Sequence, residues 1–282
     1  MYCKYATIKY GLLQTPIQAM SILQHLGFHR ATPCPALAGY IDSYWFINRQ
    51  LQKSYSEFLH PDGGMGIILN YGSNLSVDQK TLKEGCFFDG TNTKTRVIGL
   101  SGDISAIGIR FKPAATYAFI SAPLHELKNK NTALSDIGKN TFSDLHCLLG
   151  ESKNIKEKIK LLNIFMINNF HIDRKISSET SSALLRIKMC RGTLSINELS
   201  EQLGINKRKL ERLFNLQLGM TPFEYSRNIR VQYARMCLKQ KHIDYNEISH
   251  RLDYFDQSHF IKQFKFVVGI TPGQYKQRYI GL

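Results

Sequence analysis

One stretch of the chain occurs twice. Residues 210–225 read LERLFNLQLGMTPFEY and residues 260–275 read FIKQFKFVVGITPGQY, so Leu210/Phe260, Phe214/Phe264, Gly219/Gly269, Thr221/Thr271, Pro222/Pro272 and Tyr225/Tyr275 recur at a spacing of 50. Six positions in register restrict the fold severely. Whatever unit one copy forms, the other forms too, and the segment between them sets their separation.

Each copy carries its own helix starts. Upstream lie Ser195-Ile-Asn-Glu198 and Asp244-Tyr-Asn-Glu247. In each, a capping residue is followed three positions later by a Glu able to reach back to the free amide at the helix start. Thr221-Pro222-Phe-Glu224 and Thr271-Pro272-Gly-Gln274 repeat the device, with proline at the first helical position, where its missing N–H costs nothing. In the first copy Leu199 and Leu203 supply the inner face of a short helix. Gly204 suits the tight turn that follows, and Asn206 caps a longer helix from Lys207. The pattern predicts a helix-turn-helix in each copy.

The longer helix, Lys207 to Leu218, puts Leu210, Leu213, Phe214 and Leu218 on one face and Lys207, Arg208, Glu211 and Arg212 on the other. A cationic amphipathic helix behind a short capped one is what a major groove admits; the competing reading is a solvated face on an ordinary bundle helix. Duplication and spacing favour the groove. At about 1.5 Å per residue, the segment from Pro222 to about Lys239 spans roughly 27 Å. With its flanking turns it holds two such helices near one DNA turn apart, about 34 Å.

With these residues in place, the stretch from about Ala183 to Tyr279 resembles the AraC/XylS transcription regulators: ELSEQLGIN, LERLF, LGMTPFEY, IRVQYAR, QSHFIKQFK and VGITPGQY follow in that family's order. The resemblance implies two DNA-recognition helices. On the first stand Asn206, Lys207, Arg208, Glu211 and Arg212, with Arg208, Glu211 and Arg212 where base edges are read. On the second stand Asp256, Gln257, Ser258, His259, Lys262 and Gln263. Lys209, Arg230 and Lys265 are candidates for phosphate or surface contact, which sets register without reading sequence. Departures from the pattern fall mainly in the second unit. Asp253 and Tyr254 replace the usual glycine-phenylalanine of its turn, and Phe255 stands where a small polar cap is expected. Asp tolerates the left-handed conformation better than most residues, and Asp256 can serve as the cap instead. Ser200 and Ser249 replace alanines beneath the two recognition helices. A looser reading of DNA by the second unit is the expectation.

Charge agrees with this assignment. The chain has 282 residues and a formal charge of +15, and residues 171–282 alone hold 19 Lys and Arg against 10 Asp and Glu. The denser positive half is the duplicated one, as a nucleic-acid footprint requires. Cys3, Cys34, Cys86, Cys147, Cys190 and Cys237 form no C-x-x-C pair, which argues against a zinc ribbon and gives no disulfide framework. No metal and no cofactor are expected, because His25 and His29 are separated by Gly27, a helix breaker. Ser, His and Asp do not cluster near a glycine elbow, so no catalytic residue is assigned. No apolar run of about 18 residues occurs, and a cytoplasmic, nucleoid-associated protein is expected.

The N-terminal half follows a different grammar. Leu12 to Leu26 reads as one amphipathic helix. Pro33-Cys-Pro35 breaks the pattern, and from Leu37 an aromatic, β-prone run carries Trp45, the only tryptophan. Strands are predicted at Met65–Tyr71, Cys86–Phe88, Arg96–Leu100 and Ile104–Phe111, and a helical stretch at Ala114–Ser121: a β-rich domain of short strands. Tyr40-Ile41, Tyr44-Trp45, His60-Pro-Asp-Gly63 and Gly108-Ile-Arg-Phe111 with Pro113 also resemble an uncharacterised N-terminal domain found on some regulators of that family, over roughly residues 33–140. That likeness implies a sensing half and names no ligand. Two readings stand for its polar residues. In one, Arg110 pairs with an anionic group of an effector, Tyr44 or Trp45 supplies an apolar wall, and His60 and Asp62 lie nearby. In the other, Asp62 caps the turn and Arg110 forms a structural ion pair.

Residues 151–170 predict a helix with Ile155, Ile159, Leu162 and Met166 on one stripe and Lys156, Lys160 and Asn163 opposite. The stripe is read either as a homodimer contact or as packing against the β-rich domain. Asp173 to Ser182, rich in Ser and Lys, reads as a linker. The expected architecture is therefore α+β, with a β-rich regulatory domain over 1–150, a helical connector over 151–180 and an all-α DNA-binding domain over 181–282. The expected function is a DNA-binding transcription regulator, an activator by first choice, working with double-stranded DNA, RNA polymerase, a small-molecule effector and a second copy. A DNA-linked alkyl-transfer sensor and an architectural DNA binder are the alternatives. The first needs metal-type Cys spacings that the chain lacks; the second would discriminate little between sequences.

Overall fold

The computed structural model describes residues 27–72, 75–240 and 244–280, and the helix expected over 12–26 lies outside them, as does His25. Eight strands form one antiparallel sheet: β1 (His29–Ala31), β2 (Ile41–Leu59), β3 (Gly66–Asn70), β4 (Leu75–Val77), β5 (Lys80–Leu82), β6 (Gly85–Asp89), β7 (Arg96–Phe111) and β8 (Asn131–Ala133). Their order is β1-β2-β7-β3-β6-β8, with β4 continuing along β7 beyond β3 and carrying β5.

The expectation of short strands is corrected here. Two strands of 19 and 16 residues pair along almost their whole length and form the backbone of the sheet. Ser101-Gly-Asp103 reads as a turn by composition, yet Gly102 and Asp103 pair with Leu51 and Gln50. The irregularity is absorbed on β2, between Leu51 and Tyr55. A long partner strand holds residues in a ladder that their own propensity would not, since each cross-strand pair adds to the next.

Side chains alternate between the two faces of the sheet. Tyr44, Phe46, Ile107, Ile109 and Phe111 face a core closed by two helices, α1 (Thr141–Glu151) and α2 (Ile155–Asn168), through Phe142, Leu145, Leu149, Leu162 and Met166. Ile47, Leu100, Ile104 and Ala106 belong to a smaller cluster on the other face. The helix expected at Ala114–Ser121 is only a 3-10 turn, Ala115–Ala118.

The α2 stripe faces inward. Leu162 and Met166 are 0% exposed in the core of the sheet half, and Ile159 packs against it. Leu162 and Met166 are therefore closed to a subunit contact, and 155–168 is packed on the sheet half rather than a free connector. Asn163, expected on the polar side, lies on the inner face as well. Its Oδ1 accepts the Cys34 N–H at 3.0 Å and the Tyr44 hydroxyl at 3.0 Å. The 3.6-residue period explains this, because 159, 162, 163 and 166 share one side of a helix. Ile155 is exposed, and Ile164 and Ile167, at 48% and 47% exposure, form the outer apolar pair.

Seven helices follow: α3 (Ser178–Met189), α4 (Ile196–Gln202), α5 (Lys207–Leu218), α6 (Pro222–Leu238), α7 (Tyr245–Arg251), α8 (Gln257–Val268) and α9 (Pro272–Ile280). All four expected caps are present. Ser195/Glu198 and Thr221/Glu224 form reciprocal capping boxes. Asp244 accepts the Glu247 N–H at 2.6 Å, and Thr271 and Gln274 exchange bonds at 2.9 and 3.3 Å. The two tight turns use Gly204 at φ 64° and Asp253 at φ 53°, so Asp takes the left-handed position assigned to it. Asp256 caps α8 through the His259 N–H, and the hydroxyls of Ser200 and Ser249 are satisfied within their own helices by the carbonyls of Asn197 and Tyr245. Each unit has its own core, around Phe214 and Tyr225 in the first and Phe264 and Tyr275 in the second.

The two halves of the chain are packed together. Ala114 of the sheet half completes the core of the first helix-turn-helix, and Lys128 Nζ lies 2.9 Å from Glu224 Oε1. The β6–β7 loop reaches both units. The Asn92 carbonyl accepts from Asn228 Nδ2 of α6 at 3.0 Å, and the Thr95 N–H donates to the Val267 carbonyl of α8 at 2.7 Å. Lys94 and Arg227 lie 4.5 and 4.4 Å from the ring centroid of Phe266. No helix among the described residues is long and apolar enough to cross a membrane.

Candidate nucleic-acid interface and a cavity beside it

Helices α5 and α8 are the second helices of their units, and each buries one stripe: Leu210, Phe214 and Leu218 in α5, Phe260, Phe264 and Val268 in α8. Their opposite faces are free to meet a partner. Lys207, Arg208 and Arg212 are exposed on α5, as are Gln257, Ser258, Lys262 and Lys265 on α8; Glu211 and Gln263 are half-buried. Asn206 and Asp256 spend their side chains as caps on the backbone N–H groups of Lys209 and His259. Their part in any interface is to end the helix cleanly there.

Three expected contact residues are engaged inside the protein. Lys209 Nζ bonds Glu179 Oε1 of α3 at 2.9 Å, and that hydrogen bond holds the Glu179 carboxyl down at about 2. His259 Nδ1 accepts the Phe255 N–H at 3.4 Å, which leaves Nε2 as the outward donor. Arg230 is the clear correction. Its Nε and Nη2 both donate to the Gly192 carbonyl, at 3.0 and 2.7 Å, and its guanidinium lies 5.4 Å from the Tyr254 ring. It ties the segment before the first unit to the second, so two of its three guanidinium nitrogens are already engaged within the fold. No local signal marked this, because Gly192 and Tyr254 lie 38 and 24 residues away in the chain.

Sequence reasoning took Phe255 only as a departure at the cap and did not expect it to stand out: it is 92% exposed, one residue before the α8 cap, beside Gln257 and Ser258.

A cavity of about 270 Å³ opens on the outer face of the sheet and reaches the helical half at Arg235 of α6. Of the five residues expected around an effector, Trp45, His60, Asp62 and Arg110 line it. Tyr44 does not. As the neighbour of Trp45 on a strand it points to the opposite face, where it is fully buried and donates to Asn163. Trp45 lies flat across its cross-strand partner Gly108, where an added Cβ would sit 1.8 Å from the indole. Only glycine leaves room for that wall.

The charged groups at the cavity are strongly coupled. Asp62 accepts from the Gly64 N–H at 2.8 Å and pairs with Arg110. Burial works to raise the Asp62 carboxyl, but the Arg110 charge, its hydrogen bond and the Gly64 amide outweigh it, and the net shift is downward. Turn capping and a structural ion pair are thus both realised, in residues that also line the cavity. Asp89 is pushed up by burial, offset in part by Arg110, Arg96 and Asn131. Burial holds the His60 imidazole down to about 2, reinforced by Arg235, Lys239 and Arg278, so the ring is neutral. Its Nδ1 lies 2.7 Å from Thr95 Oγ1, and its Nε2 is buried without a partner. Among the described residues no group of three or more His, Cys, Asp or Glu is placed to hold a metal ion.

Known proteins resemble this chain in both halves. Residues 199–278 match a family model described as a helix-turn-helix domain, and residues 29–133 match one described as a domain of unknown function, DUF6597. The HTH-type transcriptional regulator YtdP of Bacillus subtilis is 31% identical over 85 residues, 30% of this chain and 11% of that protein. The HTH-type transcriptional activator RhaR of Enterobacter is 30% identical over 83 residues, 29% of each chain. The chain spans less than two thirds of the length of the curated relatives it matches. Among solved structures, a transcriptional regulator with an AraC-type DNA-binding domain from Chromobacterium violaceum is 26% identical, covering 36% of this chain and 91% of that one at a TM-score of 0.33.

Proposed function

Since the C-terminal part of this chain is an AraC-type helix-turn-helix domain, we propose that the protein is a sequence-specific DNA-binding transcription regulator that lays α5 and α8 in successive segments of the major groove. The observation that carries this reading is the pair of capped, equivalent units whose second helices keep Lys207, Arg208, Arg212, Gln257, Ser258 and Lys262 exposed. Activation, through contact with RNA polymerase, is the first choice for the sign of regulation, in keeping with the activator among its relatives. The sheet half, over residues 29–168, acts as the regulatory half. The cavity at Trp45, Asp62 and Arg110 is its effector site, and the shared wall with α6 is the route by which occupancy reaches DNA binding. The protein acts in the cytoplasm, on chromosomal DNA.

Genome-wide footprinting of the tagged full-length protein tests this, followed by gel shifts on the recovered sites. Enriched sites with two reading segments about one DNA turn apart are expected. Binding without sequence enrichment would leave only an architectural role.

A further inference from the structure

The charged groups around the cavity are matched inside the fold, with one exception. Arg30 pairs with Asp42 and Arg110 with Asp62; Asp89 accepts from Asn131 at 3.0 Å and lies 3.4 Å from Arg96. Arg235 has no such partner. The residue is 8% exposed, its Nε donates to the Tyr275 hydroxyl at 3.2 Å, and its guanidinium lies 5.5 Å from the Tyr275 ring. Among the described residues no carboxylate stands within ion-pair reach of it. The buried carboxylate on this side, Glu57, is coupled to Arg278. A tyrosine hydroxyl and ring do not neutralise a buried guanidinium, and a buried charge without a counter-ion is unfavourable.

The surroundings add to the positive potential. Arg235, Lys239 and Arg278 all bear on His60, whose Nε2 is buried and unpartnered at the same end of the cavity. The remaining walls are apolar, with Trp45, Ile47, Ile98 and Leu100 among them. Such a space has a hydrophobic body and one unmatched cationic end. The anionic group placed at Arg110 on sequence grounds finds that arginine already paired, and Arg235, which meets no described carboxylate, lies on the helix that joins the two helix-turn-helix units.

We propose that the cavity binds an organic anion whose apolar body lies against Trp45 and Leu100 and whose charged head pairs with Arg235, so that one ligand bridges the sheet and α6. This rests on the reading of the cavity as an effector site. The fork of the guanidinium suits a carboxylate, which it meets with two parallel hydrogen bonds.

The test uses the full chain, with Trp45 as its sole indole reporter, and two probes that do not absorb with it: 4-cyclohexylbutanoate and its uncharged counterpart 4-cyclohexylbutan-1-ol. The acid is expected to perturb Trp45 emission with at least tenfold higher affinity than the alcohol. Arg235→Gln should remove that preference while leaving alcohol binding unchanged, which also reports that the variant is folded; Arg235→Lys should keep most of the preference. Equal affinity of acid and alcohol for the wild type overturns the anion assignment. So does a preference that survives Arg235→Gln. In both cases the cavity stands as a site. If neither probe binds the wild type, the effector reading falls and this inference with it.

Discussion

Arg212 and Arg230 are both arginines of the helix-turn-helix region, and the structure gives them opposite fates. Arg212 is exposed on α5, whereas Arg230 is locked to the Gly192 carbonyl. Arg212→Ala is therefore expected to leave thermal stability unchanged and to cost about 1–3 kcal/mol in binding to the specific site, with relaxed preference at one base pair. Arg230→Ala should lower the melting temperature and leave the salt dependence of DNA binding unaltered. Gel shifts at several salt concentrations separate the two, and a shallower salt slope in Arg230→Ala would restore it to a phosphate. His60 gives a pH prediction. Its folded-state value of about 2 lies below the ordinary 6.5, so the unfolded chain takes up a proton below about pH 6.5 that the folded chain refuses. Stability from this residue is complete above that pH and declines by up to about 1.4 kcal/mol per unit beneath it. Urea titrations at pH 7.0, 6.0 and 5.0 should show a shallower acid decline in His60→Asn; parallel declines would mean that the ring titrates normally.

At the scale of elements, the helix α2 and the stripe carrying Ile159, Leu162 and Met166 were legible in sequence, and what that stripe meets was not. An apolar stripe suits a second copy as well as a sheet, and here the sheet covers it. Leu162→Asp should then destabilise the fold by about 3 kcal/mol or more, as a charge placed in a closed core. Ile164→Asp, on the outer side, should change stability by no more than about 0.5 kcal/mol. Sedimentation of Ile164→Asp and Ile167→Asp tests the remaining route to a homodimer through this helix: loss of self-association places the contact there, and unchanged association excludes it. The caps of α4, α6, α7 and α9 were legible residue by residue, because a cap is made within four residues of chain. The continuity of β7 through Ser101-Gly-Asp103 was not, because it depends on a partner strand some 50 residues away in the chain.

For the whole molecule, the seam between the halves matters most. Among the described residues it is held by Ala114 in the core of the first unit, by the Lys128–Glu224 pair and by the hydrogen bond from Asn228 to the Asn92 carbonyl. A fragment over residues 175–282 is expected to fold as helix, since the repeat supplies both of its cores. It should melt about 5–15 °C below the same region in the full chain, having lost Ala114 and the Lys128–Glu224 pair. Circular dichroism of fragment and full chain decides this; equal melting would show that the seam contributes no stability.

What the sequence determined by itself was the pair of helix-turn-helix units. Caps, turn residues and a 3.6-residue stripe act over a few positions, and the repeat states them twice. It also marked Trp45, His60, Asp62 and Arg110, by their place on strands and in a turn. Only the tertiary structure decided that Trp45 and not Tyr44 faces the cavity, that Arg230 is held within the fold, and that Arg235 meets Tyr275 but no carboxylate among the described residues. Each of these depends on a residue far away in the chain: Gly108 opposite Trp45, the Gly192 carbonyl at Arg230, and the absence of any described carboxylate beside Arg235. Long-range neighbours of that kind are set by packing, and no local pattern encodes them.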